Sequence, residues 1–260
     1  MGAHAASAGS EALTRDVLDP WGLDLLQARR GFRFGLDAIL LAAFVELRPG
    51  DTAVELGAGS AVVSLVLARR FPAARLILGT EIEARTAELA ARNARQCANV
   101  RVVRCDYRTL ALTRRADVVF GNPPHHPLPG RQAPRDTARA IATCEITATL
   151  SGTVEACARL LAPHGTAYLL YPAAREPELR AKLDAAGLRT ARIQRVVAVD
   201  GRAPGTVIVA ASRHATAVRE ETLTVLDASG RYTDAAARAY GFPAAAEMAF
   251  GGWRAAGSPC

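Results

Sequence analysis

Lysine is almost absent from this chain. Only Lys182 is a lysine among the 32 basic residues, which leaves 31 arginines (32 minus 1), and the formal net charge is +7. Because the planar guanidinium group binds phosphates through two parallel hydrogen bonds, an arginine-rich basic chain favours nucleic acid as a partner. The alternative is that arginine simply fills solvated positions, and composition alone does not decide between the two.

Cysteine motifs are also missing. The five cysteines are odd in number, widely scattered and without a C-x-x-C pair, so neither a zinc site nor a disulfide framework is predicted. No H-E-x-x-H or comparable cluster occurs, so no bound metal is expected. Scattered thiols fit a reducing compartment, and we therefore predict a cytoplasmic protein.

Long hydrophobic runs are lacking as well. The longest, from Ile39 to Val45, is far too short to span a bilayer, and no membrane partner is predicted. The start of the chain has no basic segment followed by an apolar one, so it does not resemble a secretory signal. We interpret residues 1–24 as a flexible tail of small and polar residues. A monomer or weak dimer is expected.

A regular alternation of strands and helices follows this tail. Strand patterns that alternate with helical patterns indicate right-handed crossovers and a parallel sheet, and the turn-rich residues 200–205 predict a closing hairpin. The expected fold is α/β and Rossmann-like, with a doubly wound, mostly parallel, seven-stranded sheet whose final strand is antiparallel. It occupies residues 25–212, and residues 213–260 form a C-terminal extension packed on the same domain. The strands are predicted at residues 52–56, 75–80, 100–105, 117–121, 165–171, 188–199 and 206–211.

A glycine-rich turn joins the first of these strands to a helix in "AVELGAGSAVVSLVLARR". A dinucleotide fingerprint would require glycine where Val62 stands. The pattern instead resembles the S-adenosylmethionine site of class I methyltransferases, and acidic residues at the ends of the next two strands strengthen that resemblance. The resemblance implies S-adenosylmethionine as cofactor. It implies cofactor contacts at Glu55, Gly57, Ala58, Gly59, Glu81, Asp106 and Tyr107.

The segment "DVVFGNPPHHP" ends a buried strand in two prolines, which cannot continue a central strand. Asn122-Pro123-Pro124 resembles the motif of amino-group methyltransferases, in which an aromatic residue follows the second proline. An exocyclic amine has a delocalised lone pair and is a poor nucleophile. The Asn122 side-chain oxygen and the Pro123 carbonyl would each accept one N–H and orient that lone pair. His125 stands in the aromatic position, where imidazole can stack on a base.

Further segments are similar to the bacterial tRNA(Val) adenine-N6 methyltransferase family. In "GFRFGLDAILLAAFV", Arg33, Gly35 and Asp37 match that family, while Leu36 replaces a usual threonine. "PRDTARAIATCEITATL" and "GRYTDAAARAYGF" resemble two later motifs. The resemblance implies cofactor contacts at Gly35, Asp37 and Asn122 and transfer of a methyl group to N6 of an adenine in tRNA.

Such an adenine must be flipped out of its stack to reach a pocket. Basic residues near the motif could bind the flanking RNA, namely Arg33, His126, Arg131, Arg135 and Arg139. Two alternatives remain open: methylation of a protein glutamine amide or another amino group, and a non-catalytic RNA module that binds S-adenosylmethionine. A dehydrogenase is disfavoured by Val62 and by the absence of a hydride-transfer constellation.

Overall fold

A large mixed sheet forms the centre of the protein. The computed structural model describes residues 13–29, 33–123 and 149–248. Within these ranges, eight strands lie in the order β10-β8-β9-β7-β6-β3-β4-β5, and β1 pairs only with β2. The strands are β1 (Leu13–Leu18), β2 (Leu23–Ala28), β3 (Thr52–Leu56), β4 (Leu76–Glu81), β5 (Val100–Arg104), β6 (Ala116–Gly121), β7 (Leu161–Pro172), β8 (Arg189–Val199), β9 (Thr206–Ser212) and β10 (Arg219–Leu226).

Strand directions confirm the predicted architecture. The five strands from β5 to β7 are joined by parallel pairings, whereas β9 runs antiparallel to both of its neighbours, β7 and β8. The β8–β9 hairpin is the one that residues 200–205 predict. An eighth strand, β10, adds to the predicted seven by pairing in parallel with β8 at the sheet edge.

Helices cover both faces of this sheet, as a doubly wound fold requires. The described residues form two large hydrophobic cores and a small cluster of Ala58, Ala61 and Ala90. One large core contains residues of α1, α2 and α6, and the other contains residues of α4 and α5. The α-helices are α1 (Leu36–Phe44), α2 (Val62–Arg70), α3 (Ala84–Ala94), α4 (Leu150–Leu160), α5 (Glu176–Ala185), α6 (Asp234–Ala239) and α7 (Ala245–Met248). Among the described residues, none of these helices has the length and apolarity needed to cross a membrane.

A β-hairpin precedes the sheet, and it corrects the predicted flexible tail. Strands β1 and β2 pair in register from Leu13 with Ala28 to Leu18 with Leu23. Leu18, Leu23 and Leu25 are buried in the core, which gives this segment a reason to be ordered. The tail prediction is therefore wrong for residues 13–24, and residues 1–12 lie outside the described part of the chain.

The turn of this hairpin contacts the C-terminal part of the chain. Trp21 lies so close to Gly241 that a Cβ at position 241 would come within 2.7 Å of the indole ring. Gly241 also has a φ of +91°, which side-chain-bearing residues rarely adopt. Glycine is thus required there both by conformation and by the close approach of Trp21. Of the predicted extension, the described residues contribute β10 to the sheet and α6 to the core beside α1.

Candidate active site

Four strand ends meet along one edge of the sheet. Strands β3, β4, β5 and β6 are parallel, and their last residues are in register: Leu56 lies beside Thr80 and Gly121, and Glu81 lies beside Arg104. The segments that follow these strands are therefore neighbours, which is where ligands bind in open α/β sheets. The strand ends thus bring together the glycine turn, Glu81, Asp106 and Asn122.

In the glycine turn after β3, every second residue from 57 to 61 has a left-handed backbone conformation, and this bends the chain sharply. Gly57, Gly59 and Ala61 have φ angles of +73°, +54° and +65°. A Cβ added at Gly57 would meet no atom within 4 Å, so its outer side is open to a ligand. Ala61 adopts a conformation that costs a non-glycine residue about 1–2 kcal/mol, so the surrounding contacts must hold it.

Thr80 fastens this turn to β4, and sequence reasoning missed it. The Ala58 N–H donates to the Thr80 carbonyl at 2.7 Å, and the Gly57 N–H donates to Thr80 Oγ1 at 3.4 Å. Thr80 Oγ1 in turn donates to the Glu55 carbonyl at 2.7 Å. A threonine directly before a strand-end carboxylate is the only sequence signal it offers.

Glu81 reaches back from the end of β4 to the glycine turn. Its carboxylate accepts from the Gly59 N–H and from the Glu83 N–H, each at 3.0 Å. Burial raises the pKa of Glu81, while these backbone donors act in the opposite direction. Ile82, which follows, is an apolar side chain that remains 39% exposed. A carboxylate can accept hydrogen bonds from ribose hydroxyls, and a neighbouring aliphatic side chain can pack on the apolar face of the attached base. The sequence analysis did not identify Ile82 as a site residue.

Glu55 lies beneath the turn and not on its open side. The side chain is 3% exposed, and its Oε2 accepts from Ser64 in the first turn of α2, from both Oγ and the backbone N–H. Burial raises the pKa of Glu55 to about 8, despite the lowering effect of the Ser64 hydrogen bonds. The expected cofactor contact by this carboxyl group is therefore corrected, because the group is covered by protein and supports α2.

This raised pKa predicts a pH-dependent stability. A carboxyl group whose pKa rises from 4.5 to about 8 on folding stabilises the protein fully below pH 4.5 and loses that contribution as the pH rises through about 8. At about 1.4 kcal/mol per pKa unit, several kcal/mol are involved. Urea unfolding of Glu55→Gln is expected to show a weaker loss of stability from about pH 6 to about pH 9 than the wild type. The exposed Glu88→Gln variant is the control, and identical pH profiles for the wild type and Glu55→Gln would contradict the assignment.

Asp106 and Tyr107 follow β5 but point to different partners. Asp106 forms an ion pair with Arg108 at 2.5 Å, which lowers the pKa of Asp106. Tyr107 is buried in the core beneath α4, and its hydroxyl lies 3.0 Å from Thr153 Oγ1. The Tyr107 ring thus packs among core side chains, which corrects the expected cofactor contact by its side chain. Asp106 remains at the sheet edge, with Arg108 as its neighbour.

Asn122 follows β6 directly beside the glycine turn. Its Oδ1 is buried and has no hydrogen-bond partner among the residues that the structure describes. A buried acceptor without a donor is costly, by about 1–3 kcal/mol, and such groups concentrate where a ligand supplies the missing bond. Glycine at position 121 lets the end of β6 lie close to the end of β3, because a Cβ at this position would lie 3.0 Å from the Leu56 carbonyl oxygen. Pro123 is buried next to it.

The beginning of α1 holds two further predicted residues. Gly35 is the N-cap residue of α1, and Asp37 lies in the first helical turn. Burial raises the pKa of Asp37, and burial, with smaller effects of Tyr232 and Asp37, raises the pKa of Tyr240. Nothing in these observations assigns a cofactor role to either Gly35 or Asp37, and both stay predictions.

Arg33 is engaged by the hairpin. Its guanidinium donates to both carboxylate oxygens of Asp16, at 2.8 and 2.6 Å, and to Thr14 Oγ1 at 2.5 Å. Both bonds to Asp16 come from the same guanidinium nitrogen, Nη2, and the Arg33 side chain remains 31% exposed. Arg33 is thus paired with a carboxylate on β1, and its predicted RNA contact stays a prediction.

Several predicted site residues cannot be placed. Within the described ranges there is also no group of three or more side chains suited to hold a metal ion. The predicted residues that lie outside the described part of the chain are Pro124, His125, His126, Arg131, Arg135 and Arg139.

Known proteins that are similar to this chain are methyltransferases. Residues 36–145 match the family model of the methyltransferase small domain. A relative from Tolumonas auensis, tRNA1(Val) (adenine(37)-N6)-methyltransferase, is 29% identical over 210 residues, which cover 80% of this chain and 87% of the relative. The protein of the same name from Shewanella frigidimarina is 27% identical and covers 78% and 89%, respectively.

Solved structures agree in fold. A predicted O-methyltransferase from Agrobacterium tumefaciens has a TM-score of 0.61 at 18% identity, covering 80% of this chain and 96% of that one. TYW2 from M. jannaschii in complex with AdoMet has a TM-score of 0.55 at 14% identity, covering 78% and 86%. The chain is an S-adenosylmethionine-dependent methyltransferase of class I fold, which is similar to the methyltransferase small domain over residues 36–145 and to the tRNA1(Val) adenine-N6 enzymes over most of its length.

Proposed function

We propose that this methyltransferase transfers a methyl group to the exocyclic N6 of an adenine in tRNA, and that the edge formed by β3, β4, β5 and β6 is its active site. The observation that carries the proposal is the buried Asn122 Oδ1, an acceptor that has no partner within the described part of the chain and lies at a strand end beside the glycine turn. The two relatives named for tRNA adenine-N6 methylation support the choice of substrate.

The residues of the sheet edge suit S-adenosylmethionine. The open side of Gly57 would accommodate the methionine moiety of the cofactor, and the Glu81 carboxylate would accept hydrogen bonds from the ribose hydroxyls. The exposed Ile82 offers an apolar surface for the adenine ring. When bound, S-adenosylmethionine supplies an electrophilic methyl group on a sulfonium centre.

Asn122 would prepare the nucleophile. The lone pair of an aromatic amine is delocalised into its ring, so the amine attacks only after it becomes more pyramidal. The Asn122 side-chain oxygen would accept one N–H, the Pro123 carbonyl would accept the other, and the lone pair would then point towards the methyl group. The contribution is positioning and electrostatic preorganisation, and no strong base is required because the proton can leave after transfer.

RNA would approach this edge with the target base flipped out of its stack. We propose that Pro124 and His125 complete the pocket, with the imidazole of His125 stacked on the base. Arg131, Arg135, Arg139 and His126 are proposed to bind flanking phosphates. Since Arg33 is paired with Asp16, it is left out of this set.

The decisive experiment offers two substrate classes at once. Total RNA and total protein, each prepared from cells that lack the enzyme, are incubated with the purified protein and methyl-labelled S-adenosylmethionine. We expect label in the tRNA fraction, recovered as N6-methyladenosine after nucleoside digestion. Label in protein, as N-methylglutamine, would replace the proposal by the glutamine-amide alternative. Label in neither fraction would contradict catalysis on both.

Salt provides an independent control on the substrate. If arginines hold RNA by its phosphates, association releases counterions, and tRNA affinity should fall at least tenfold between about 50 and about 200 mM salt. Binding of S-adenosylmethionine serves as the internal comparison, since its affinity should change little over the same range. A tRNA affinity that does not depend on salt would argue against phosphate recognition.

A further inference from the structure

Asn93 is a buried amide that connects the N-terminal hairpin to the body of the protein. It lies on α3 and is 2% exposed. Its Oδ1 accepts from the Leu26 N–H at 3.0 Å, and its Nδ2 donates to the Leu26 carbonyl at 2.9 Å. The side chain therefore pairs with β2 as a neighbouring strand would, through one donor and one acceptor.

The same amide also reaches the glycine turn. Asn93 Nδ2 donates its second hydrogen to the Ser60 carbonyl at 3.0 Å. That carbonyl belongs to the peptide plane between Ser60 and Ala61, and the φ angle of Ala61 is the rotation that follows directly after this plane. Because Ala61 has a φ of +65°, the turn keeps its shape only while surrounding groups hold it. The bond from Asn93 holds it from the side of α3.

The hairpin is anchored on its other side as well. Gln27 on β2 accepts from the Phe34 N–H at 3.1 Å, and Arg33 is paired with Asp16 on β1. These contacts hold the segment that leads into Gly35 and α1. The hairpin is thus bound to two stretches that flank the sheet edge: the entry to α1 directly, and the glycine turn through Asn93.

We propose that Asn93 is a positioning residue for the cofactor, which fixes the Ser60–Ala61 peptide against the docked hairpin and thereby sets the shape of the S-adenosylmethionine-binding turn. The inference rests on the proposed cofactor site at this turn. Asn93 itself would contact neither the cofactor nor the substrate. Its loss changes the affinity for S-adenosylmethionine through the backbone of residues 59–61.

Gln96 provides a matched control. Its Oε1 accepts from the Asp24 N–H at 2.9 Å, and its Nε2 donates to the Asp24 carbonyl at 2.7 Å, so it pairs with β2 as Asn93 does. Gln96 follows the end of α3, and its second donated bond goes to the Asn93 carbonyl in the last turn of that helix and not to the glycine turn. Asn93→Asp and Gln96→Glu each remove two donated bonds, one of them to β2. Only Asn93→Asp removes the bond to Ser60.

Calorimetric titration with S-adenosylmethionine, well below both melting temperatures, tests the difference. We expect the Kd of Asn93→Asp to rise roughly five- to tenfold, as for the loss of one hydrogen bond, and that of Gln96→Glu to stay within about twofold. At saturating cofactor, kcat of Asn93→Asp should remain near that of the wild type. If Asn93→Asp does not fold, Asn93→Ser, which also loses the bond to Ser60, takes its place with the same expectation.

Three results would overturn the inference. These are an unchanged Kd in the Asn93 variant, equal changes in the Asn93 and Gln96 variants, or a loss confined to kcat. The Glu81→Ala variant separates this failure from failure of the proposed cofactor site. If Glu81→Ala weakens cofactor binding and Asn93→Asp does not, only the role of Asn93 is wrong. If Glu81→Ala has no effect either, the cofactor site itself is elsewhere.

Discussion

Replacing Asn122 by alanine is expected to slow methyl transfer by roughly a hundred- to a thousandfold at saturating substrates, the range found when one preorganised polar group is removed from a reaction centre. The buried Oδ1 has no partner in residues 13–29, 33–123 and 149–248, so its removal deprives the amine of an acceptor and breaks no hydrogen bond between that atom and these residues. Single-turnover transfer to tRNA, with rapid quenching, measures the effect. The Kd for S-adenosylmethionine should stay within about threefold of the wild type, because the role of Asn122 is directed at the amine.

Two variants make this result specific. Asn122→Asp keeps acceptor oxygens at the same position, so it should lose less activity than Asn122→Ala. Asn99→Ala is the control, and it removes an amide that donates to the Ala74 carbonyl. Asn99 directly precedes β5, so it lies at the end of the sheet opposite to the proposed active site, and the variant should leave transfer unchanged. Full turnover by Asn122→Ala would refute the role of this side chain in the reaction.

The second large effect is expected at Glu81. Two hydrogen bonds from ribose hydroxyls to a carboxylate, at about 1.5–3 kcal/mol each, would raise the Kd for S-adenosylmethionine in Glu81→Ala by at least about a hundredfold. Glu81 also accepts from the Gly59 N–H, so part of the loss comes from a loosened glycine turn. Calorimetric titration or equilibrium dialysis with labelled cofactor gives the measurement.

Glu83 is the matched control for this variant. It lies two residues further along and caps α3, with its carboxylate accepting from the Arg85 and Thr86 N–H groups at 3.1 and 2.6 Å. Glu83→Ala should cost about 1 kcal/mol of stability through the lost cap and leave cofactor affinity within about twofold. Unchanged affinity in Glu81→Ala would place the cofactor away from the glycine turn.

Sequence reasoning succeeded where a feature is local and periodic. Strand β3 has the predicted bounds, and β4 ends at Glu81, one residue beyond its predicted end. The ends of parallel strands must share one edge, so the grouping of Glu81, Asp106 and Asn122 follows from the order of elements alone. The β8–β9 hairpin follows from its turn residues in the same way.

What sequence reasoning missed are contacts that no local pattern specifies. An arginine can pair with a phosphate or with a carboxylate, and no local pattern shows that Arg33 pairs with Asp16, 17 positions earlier in the chain (33 minus 16). Tyr107 follows a strand end, where alternation no longer tells which side of the sheet a side chain faces, and it turned into the core. The hairpin did have a signal, since "LTRDVL" and "LDLLQA" flank the turn-forming "DPWG".

The contact of Trp21 with Gly241 has a consequence for biosynthesis. The two residues are separated by 220 positions (241 minus 21), and a growing polypeptide leaves the ribosome from its N-terminal end. The indole at the hairpin turn therefore emerges 220 residues before its packing partner at position 241 has been translated. Closing so long a loop is among the slow steps of folding. Nascent chains truncated before position 241 will lack this closure, even where all eight sheet strands have already been made.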